Sequence, residues 1–220
     1  MAIDWFRRKT WTNDDEREFF ARLHRSRTPF HKAQYLRIQG CALHETEVTA
    51  NLHTAIRLFH MVLNEFPEPS EIACTYENLG DCLDRLGQTD EAIDAYRNAL
   101  SQQRVYPNSL TSAHIALALL VATKRRRAEY DEAFQTLSEW GRLGDFPLLD
   151  FKICAARALI YADVGPYLDA KQWAKQALDA AAKNHSGLRY HATLGLVGDK
   201  HSTLVAQLDA IMKSRTAECG

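Results

Sequence analysis

Most of the features by which catalytic and membrane proteins are recognised are missing from this chain. No uninterrupted apolar run approaches the roughly 20 residues needed to cross a bilayer, and the opening residues MAIDWFRRKTW have no apolar signal core. We therefore expect a cytoplasmic protein without a transmembrane segment. A phosphate-cradling glycine loop, a G-x-S-x-G elbow, an H-E-x-x-H helix and zinc-spaced cysteines are all absent. Carboxylate pairs occur at Asp14-Asp15 and Asp90-Glu91, but both stand at expected helix starts, where capping accounts for them. These absences argue against an enzyme, and they imply neither a cofactor nor a small-molecule substrate.

A surplus of either charge is missing too. The 27 Lys and Arg residues against 28 Asp and Glu leave a net charge of −1, without the basic excess expected of a general nucleic-acid binder. The five cysteines (Cys41, Cys74, Cys82, Cys154 and Cys219) are odd in number and form no C-x-x-C pair. Cys74 and Cys82 lie too far apart along one expected helix for a disulfide. Four of the five fall in expected helices, where cysteine serves as a small apolar residue in a reducing compartment.

What the chain does have is helical hairpins. In Tyr76–Gln103, Leu79-Gly80, Leu83 and Leu86-Gly87 describe a first helix. Gly80 gives it a bare spot where another helix can come close, and Gly87 is a left-handed stop. Thr89 or Asp90 is expected to cap a second helix. On that helix Ala92, Tyr96 and Ala99 set small, large and small side chains on one face.

The set Tyr76, Leu79-Gly80, Gly87, Ala92, Tyr96 and Ala99 resembles the tetratricopeptide repeat, a helix-turn-helix unit of about 34 residues. Only Leu83 departs from it, standing where the family usually has an aromatic ring. The second-helix signature recurs at Ala55/Phe59/Val62, Ala133/Leu137/Trp140 and Ala170/Ala174/Ala177. First helices precede each, at Gln34–Leu43, Thr111–Thr123 and Phe151–Val164, with Val164-Gly165-Pro166 as a stop. The resemblance implies an all-α, right-handed α-solenoid of about four hairpins (about 31–67, 70–106, 110–143 and 147–184), with capping helices at each end. Residues 1–30 would form an aromatic and basic segment with an N-terminal helix, and residues 185–220 a connector with a closing helix begun by Ser202. Trp5, Phe6 and Trp11 are expected to fold back on the first repeat, ahead of a Phe19/Phe20/Leu23 stripe. Contact of these aromatics with a partner or a membrane surface is the alternative.

By the same resemblance the protein would be a bacterial-type adaptor, or a chaperone-like or immunity-like partner of one specific protein, holding its peptide or helix in the groove that first helices line. Glu77, Asn78, Asp81 and Asp84, with Arg85 at their edge, would give the second unit an acidic lining suited to a basic peptide. Ile115, Leu119 and Ala122, then Ala155, Leu159 and Ala162, would give the next two units an apolar one. Such a face calls for cover, either by a partner or by the chain's own Leu188–Met212. The family's carboxylate clamp is not matched, because Glu77 and Asp81 stand where it needs cationic and amide donors. Lys124, Arg125, Arg126 and Arg127 form a basic loop, read as a solvated helix end or as an anion contact. His53 and His60 are two turns apart, and His185, His191 and His201 are irregularly spaced. No metal site is expected from either set, and nucleic-acid or metal binding is kept only as the alternative function.

Overall fold

The computed structural model describes residues 4–46, 48–144 and 146–214, and among these every regular element is helical. Cys219, with the expected frayed end Glu218-Cys219-Gly220, lies outside the described residues, as does Met1-Ala2. The chain divides into two compact units, Met1–Ala113 and His114–Gly220.

The first unit contains α1 (Asn13–His24), α2 (Pro29–His44), α3 (Thr49–Glu65), α4 (Pro69–Arg85) and α5 (Thr89–Val105). Local chemistry sets their starts. Thr12 and Asp15 form a reciprocal capping box on α1, whose first turn also carries Asp14 and Glu16. Thr28 accepts from the His31 N–H at 3.2 Å to cap α2, and Pro29 and Pro69 occupy first turns, where a missing N–H costs nothing. Helix α5 differs from expectation. Neither Thr89 nor Asp90 caps it, because Gln88 holds the cap position without a side-chain bond and both residues lie in the first turn.

Helices α2 and α3 pack as one hairpin, α4 and α5 as a second, and α3 lies against α4. A glycine sets the approach in each hairpin. A Cβ on Gly80 would sit 2.6 Å from the Tyr96 ring, and one on Gly40 would sit 2.4 Å from the Phe59 ring, so each ring occupies the space a side chain would fill. Helix α4 ends as expected. Gly87 is left-handed (φ +76°), and the Gly87 and Gln88 N–H groups return to the carbonyls of Asp84 and Leu83.

Polar contacts from one first helix to the next, or to the segment leading into it, recur about one repeat apart. Arg37 on α2 pairs with the buried Glu71 on α4, and the Cys41 thiol meets Asn78 Oδ1 at 3.0 Å. One repeat later, Cys74 lies 3.6 Å from the Ser109 hydroxyl, and Glu77 Oε1 accepts from Ser112. The amino-terminal strap packs on this unit as expected: Trp5 and Phe6 each lie 4.8 Å from the Tyr35 ring, and Trp11 lies 5.3 Å from Phe19. Fully buried Gln39 fixes the strap by accepting from the Arg8 N–H at 3.0 Å and donating to the Arg8 carbonyl at 2.8 Å.

The second unit takes in α6 (Ala113–Thr123) from His114 onward, α7 (Tyr130–Trp140), α8 (Pro147–Val164), α9 (Tyr167–Ala181) and α10 (Ser202–Lys213). Ala155 and Ala158 of α8 and Ala170, Ala174 and Ala177 of α9 are all fully buried, so short side chains let these helices meet closely. Gly165 (φ +75°) ends α8 and Pro166 precedes α9, as the stop signal implied. Helix α10 packs on both α8 and α9, burying Leu208 and Ile211 and partly burying Leu204 and Met212. Ser202 is not its cap: it is the first helical residue, and His201, closing a short 3₁₀ turn, holds the cap position without a side-chain bond.

Candidate functional site

In the first unit the acidic set on α4 is engaged within the fold. Glu77 Oε1 accepts from the Ser112 N–H at 2.8 Å and from its hydroxyl at 2.6 Å, which ties α4 to the segment leading into α6. Asp81 Oδ1 accepts from the Tyr96 hydroxyl at 2.8 Å. Burial, followed by the Asp81 charge, raises the Tyr96 phenol well above its ordinary range. Asn78 accepts from Cys41, and Arg85 donates to the His44 carbonyl at 2.7 Å. Glu77, Asn78, Asp81 and Asp84 are half-buried and Arg85 is exposed. These bonds join facing helices or successive repeats, so the α4 side chains hold the hairpins together. Burial pushes the Cys41 thiol up to about 11 and the Cys82 thiol to about 12, which leaves both protonated and poorly nucleophilic at neutral pH.

In the second unit the basic tetrad separates into two kinds of residue. Arg127 makes two parallel bonds to Asp163, at 2.7 and 2.8 Å, and Arg126 reaches Glu129 at 3.3 Å. The Tyr130 hydroxyl adds a third bond to Asp163 at 3.0 Å, and the Arg127 bond chiefly holds that carboxyl down at about 2. Lys124 and Arg125 are exposed and form no ion pair among the described residues. Arg125 is also left-handed (φ 52°). The N–H groups of Arg125 and Arg126 return to the carbonyls of Ala122 and Val121, the same pattern that Gly87 and Gln88 make one repeat earlier. Arginine thus stands where the preceding hairpin uses glycine.

The expected apolar lining is corrected in part. Ile115 is 3% exposed and Ala155 is fully buried, so both are core residues. Leu119 and Leu159 are half-buried against the cluster that contains Leu208 and Ile211 of α10. The chain's own closing helix therefore covers part of that face. A cleft of about 360 Å³ stays open between the end of α6, α8, the start of α9 and α10. Leu159, Ala162 and Ile211 are among its apolar walls, and Arg125, Asp163, Tyr167 and Gln207 supply polar ones. The contributions of Tyr167 and Gln207 were not read from the sequence. The signal for Arg125 was present, since it follows its helix as Gly87 follows α4.

Chemistry elsewhere is sparse. His53, His60, His185 and His191 are exposed, and His201 lies 5.6 Å from the Phe151 ring. Among the described residues, no group of three or more His, Cys, Asp or Glu could hold a metal ion, and no helix is long and apolar enough to cross a membrane. His114 is 8% exposed, its Nδ1 has no hydrogen-bond partner, and burial lowers its pKa to about 4.

No curated protein and no solved structure matches the chain. The family model described as tetratricopeptide repeat matches residues 71–139, which run from α4 to the last residues of α7. Proteins built from such repeats generally mediate protein–protein interaction. The likeness first read from Tyr76–Gln103 is supported by that match over residues 71–139.

Proposed function

We propose that the protein is a non-catalytic interaction module that binds a peptide or helix of another protein along the first helices of its hairpins. The observation that carries this reading is the tetratricopeptide-repeat match at residues 71–139 in a chain whose described elements are all helical. A hairpin of this kind buries one face against its neighbours and presents the other. In the first unit the surface offered is the α4 face bearing Glu77, Asn78, Asp81, Asp84 and Arg85. In the second it is the face bearing Leu119 and Leu159, as far as α10 leaves it open. The raised thiols and the internally bonded carboxylates of α4 support a binding role, because neither is poised as a nucleophile or a base.

Affinity capture from an extract of the source organism, followed by cross-linking, tests this reading. The expected result is one dominant protein cross-linked to α4, α6 or α8, and its recovery falling about tenfold when the face it contacts is altered at an exposed or half-exposed position. Asp84→Lys serves for the first unit and Arg125→Gly for the second, with thermal melts no lower than the parent's as the control for folding. Cross-links confined to loop residues, or capture indifferent to both substitutions, would count against the proposal.

A further inference from the structure

The cleft of the second unit carries a more specific assignment, which rests on the interaction reading above. Of the charged groups in its wall, Asp163 is already satisfied by both nitrogens of Arg127 and by the Tyr130 hydroxyl. The Tyr167 hydroxyl is engaged too, by the Ile211 carbonyl at 3.2 Å and by Ser214. Arg125 is different, being exposed and without an ion pair among the described residues, with Lys124, likewise unpaired, beside it. Leu159, Ala162 and Ile211 supply apolar lining beside it, and a volume of about 360 Å³ lies in the range of ligand-sized clefts.

The backbone at Arg125 points the same way. A left-handed residue with a Cβ carries a steric penalty that glycine avoids, and the preceding hairpin closes through the same bonds with Gly87. The chain thus bears a strained conformation at Arg125, the residue that brings a long cation to the wall of this cleft. Strain of this kind is a reason to look for a role for the side chain.

We infer that this cleft receives an acidic peptide segment of a partner protein, with an aliphatic side chain seated on Leu159, Ala162 and Ile211 and an adjacent Asp or Glu paired with Arg125. This is opposite in sign to the basic peptide expected for α4, where Glu77 and Asp81 are occupied by Ser112 and Tyr96. Guanidinium pairs with carboxylate in a two-pronged geometry, so the contact would fix orientation as well as affinity.

The test is selection of random displayed dodecapeptides on the full chain, followed by anisotropy titration of the synthetic consensus peptide. Arg125→Gly removes the cation at a position where glycine fits the backbone, and Ala210→Trp, at an exposed residue of α10, fills the cleft from its rim. The expected consensus places an aliphatic residue beside Asp or Glu. Its Kd should rise about tenfold in Arg125→Gly and at least as much in Ala210→Trp, with part of the affinity kept in Arg125→Lys. A consensus without acidic residues, or a loss confined to one of Arg125→Gly and Ala210→Trp, would overturn the assignment while leaving the interaction reading intact. So would affinity unchanged in both, or retention of labelled RNA in place of peptide. Recovery of no peptide would count against the interaction reading itself.

Discussion

Two glycines inside helices set how closely their hairpins close, and each has a measurable consequence. Adding a Cβ at Gly80 or Gly40 improves helix propensity but drives into the Tyr96 or Phe59 ring. Gly80→Ala and Gly40→Ala should each lower stability by about 1–3 kcal/mol in denaturant titration, with Gly80→Ala also weakening the Tyr96–Asp81 bond. Arg125→Gly should go the other way, gaining up to about 1 kcal/mol as the left-handed penalty disappears. The His114 imidazole takes its proton near pH 6.5 when the chain is unfolded but only near pH 4 when folded. The unfolded chain therefore binds more protons in that window. Stability from this group is intact above about pH 7 and falls as the pH drops from 6.5 through 4, by about 3 kcal/mol in all. Urea titrations of the parent and His114→Phe chains across that range should show the smaller acid dependence in the variant.

At the scale of elements, the strap of residues 4–11 is held in part by one buried side chain, Gln39. Gln39→Ala removes both bonds to the Arg8 backbone, at about 1 kcal/mol per bond. The variant should show a red-shifted Trp5 and Trp11 emission and faster proteolysis near Arg7 and Arg8; an unchanged spectrum would mean the ring contacts with Tyr35 and Phe19 and the Arg8 pairs with Asp15 and Glu18 hold the strap without Gln39. The hairpins were legible in the sequence because their determinants are local. Gly80 and Gly87 bracket one helix, and Ala92, Tyr96 and Ala99 share one face of the next. Gly40 does for α2 and Phe59 what Gly80 does for α4 and Tyr96, yet it was not legible because α2 mixes polar and apolar residues around its circumference, with Gln39 on the buried face, and shows no stripe to place the glycine on. The caps of α5 and α10 were misread because Thr89 and Ser202 are good capping residues, whereas backbone turns at Gln88 and His201 start those helices one residue earlier.

For the molecule as a whole, the sequence conveyed that the chain is built from helical repeats but not which side chains the repeats consume. Glu77, Asp81 and Asn78 looked like a groove lining because they share a helix face. Their partners Ser112, Tyr96 and Cys41 lie on other elements, and that pairing follows from hairpin packing that periodicity does not encode. The same holds for Asp163, whose acceptance of Arg127 and Tyr130 leaves Arg125 without an ion pair among the described residues. The central claim is that these repeats hold another protein by their first helices. Hydrogen–deuterium exchange of the full chain with and without its captured partner tests it most directly. Binding should slow exchange in α4, or in α6 and α8, with little change in the connector at residues 184–198. Unchanged exchange in every first helix at saturating partner, or protection confined to that connector, would contradict it.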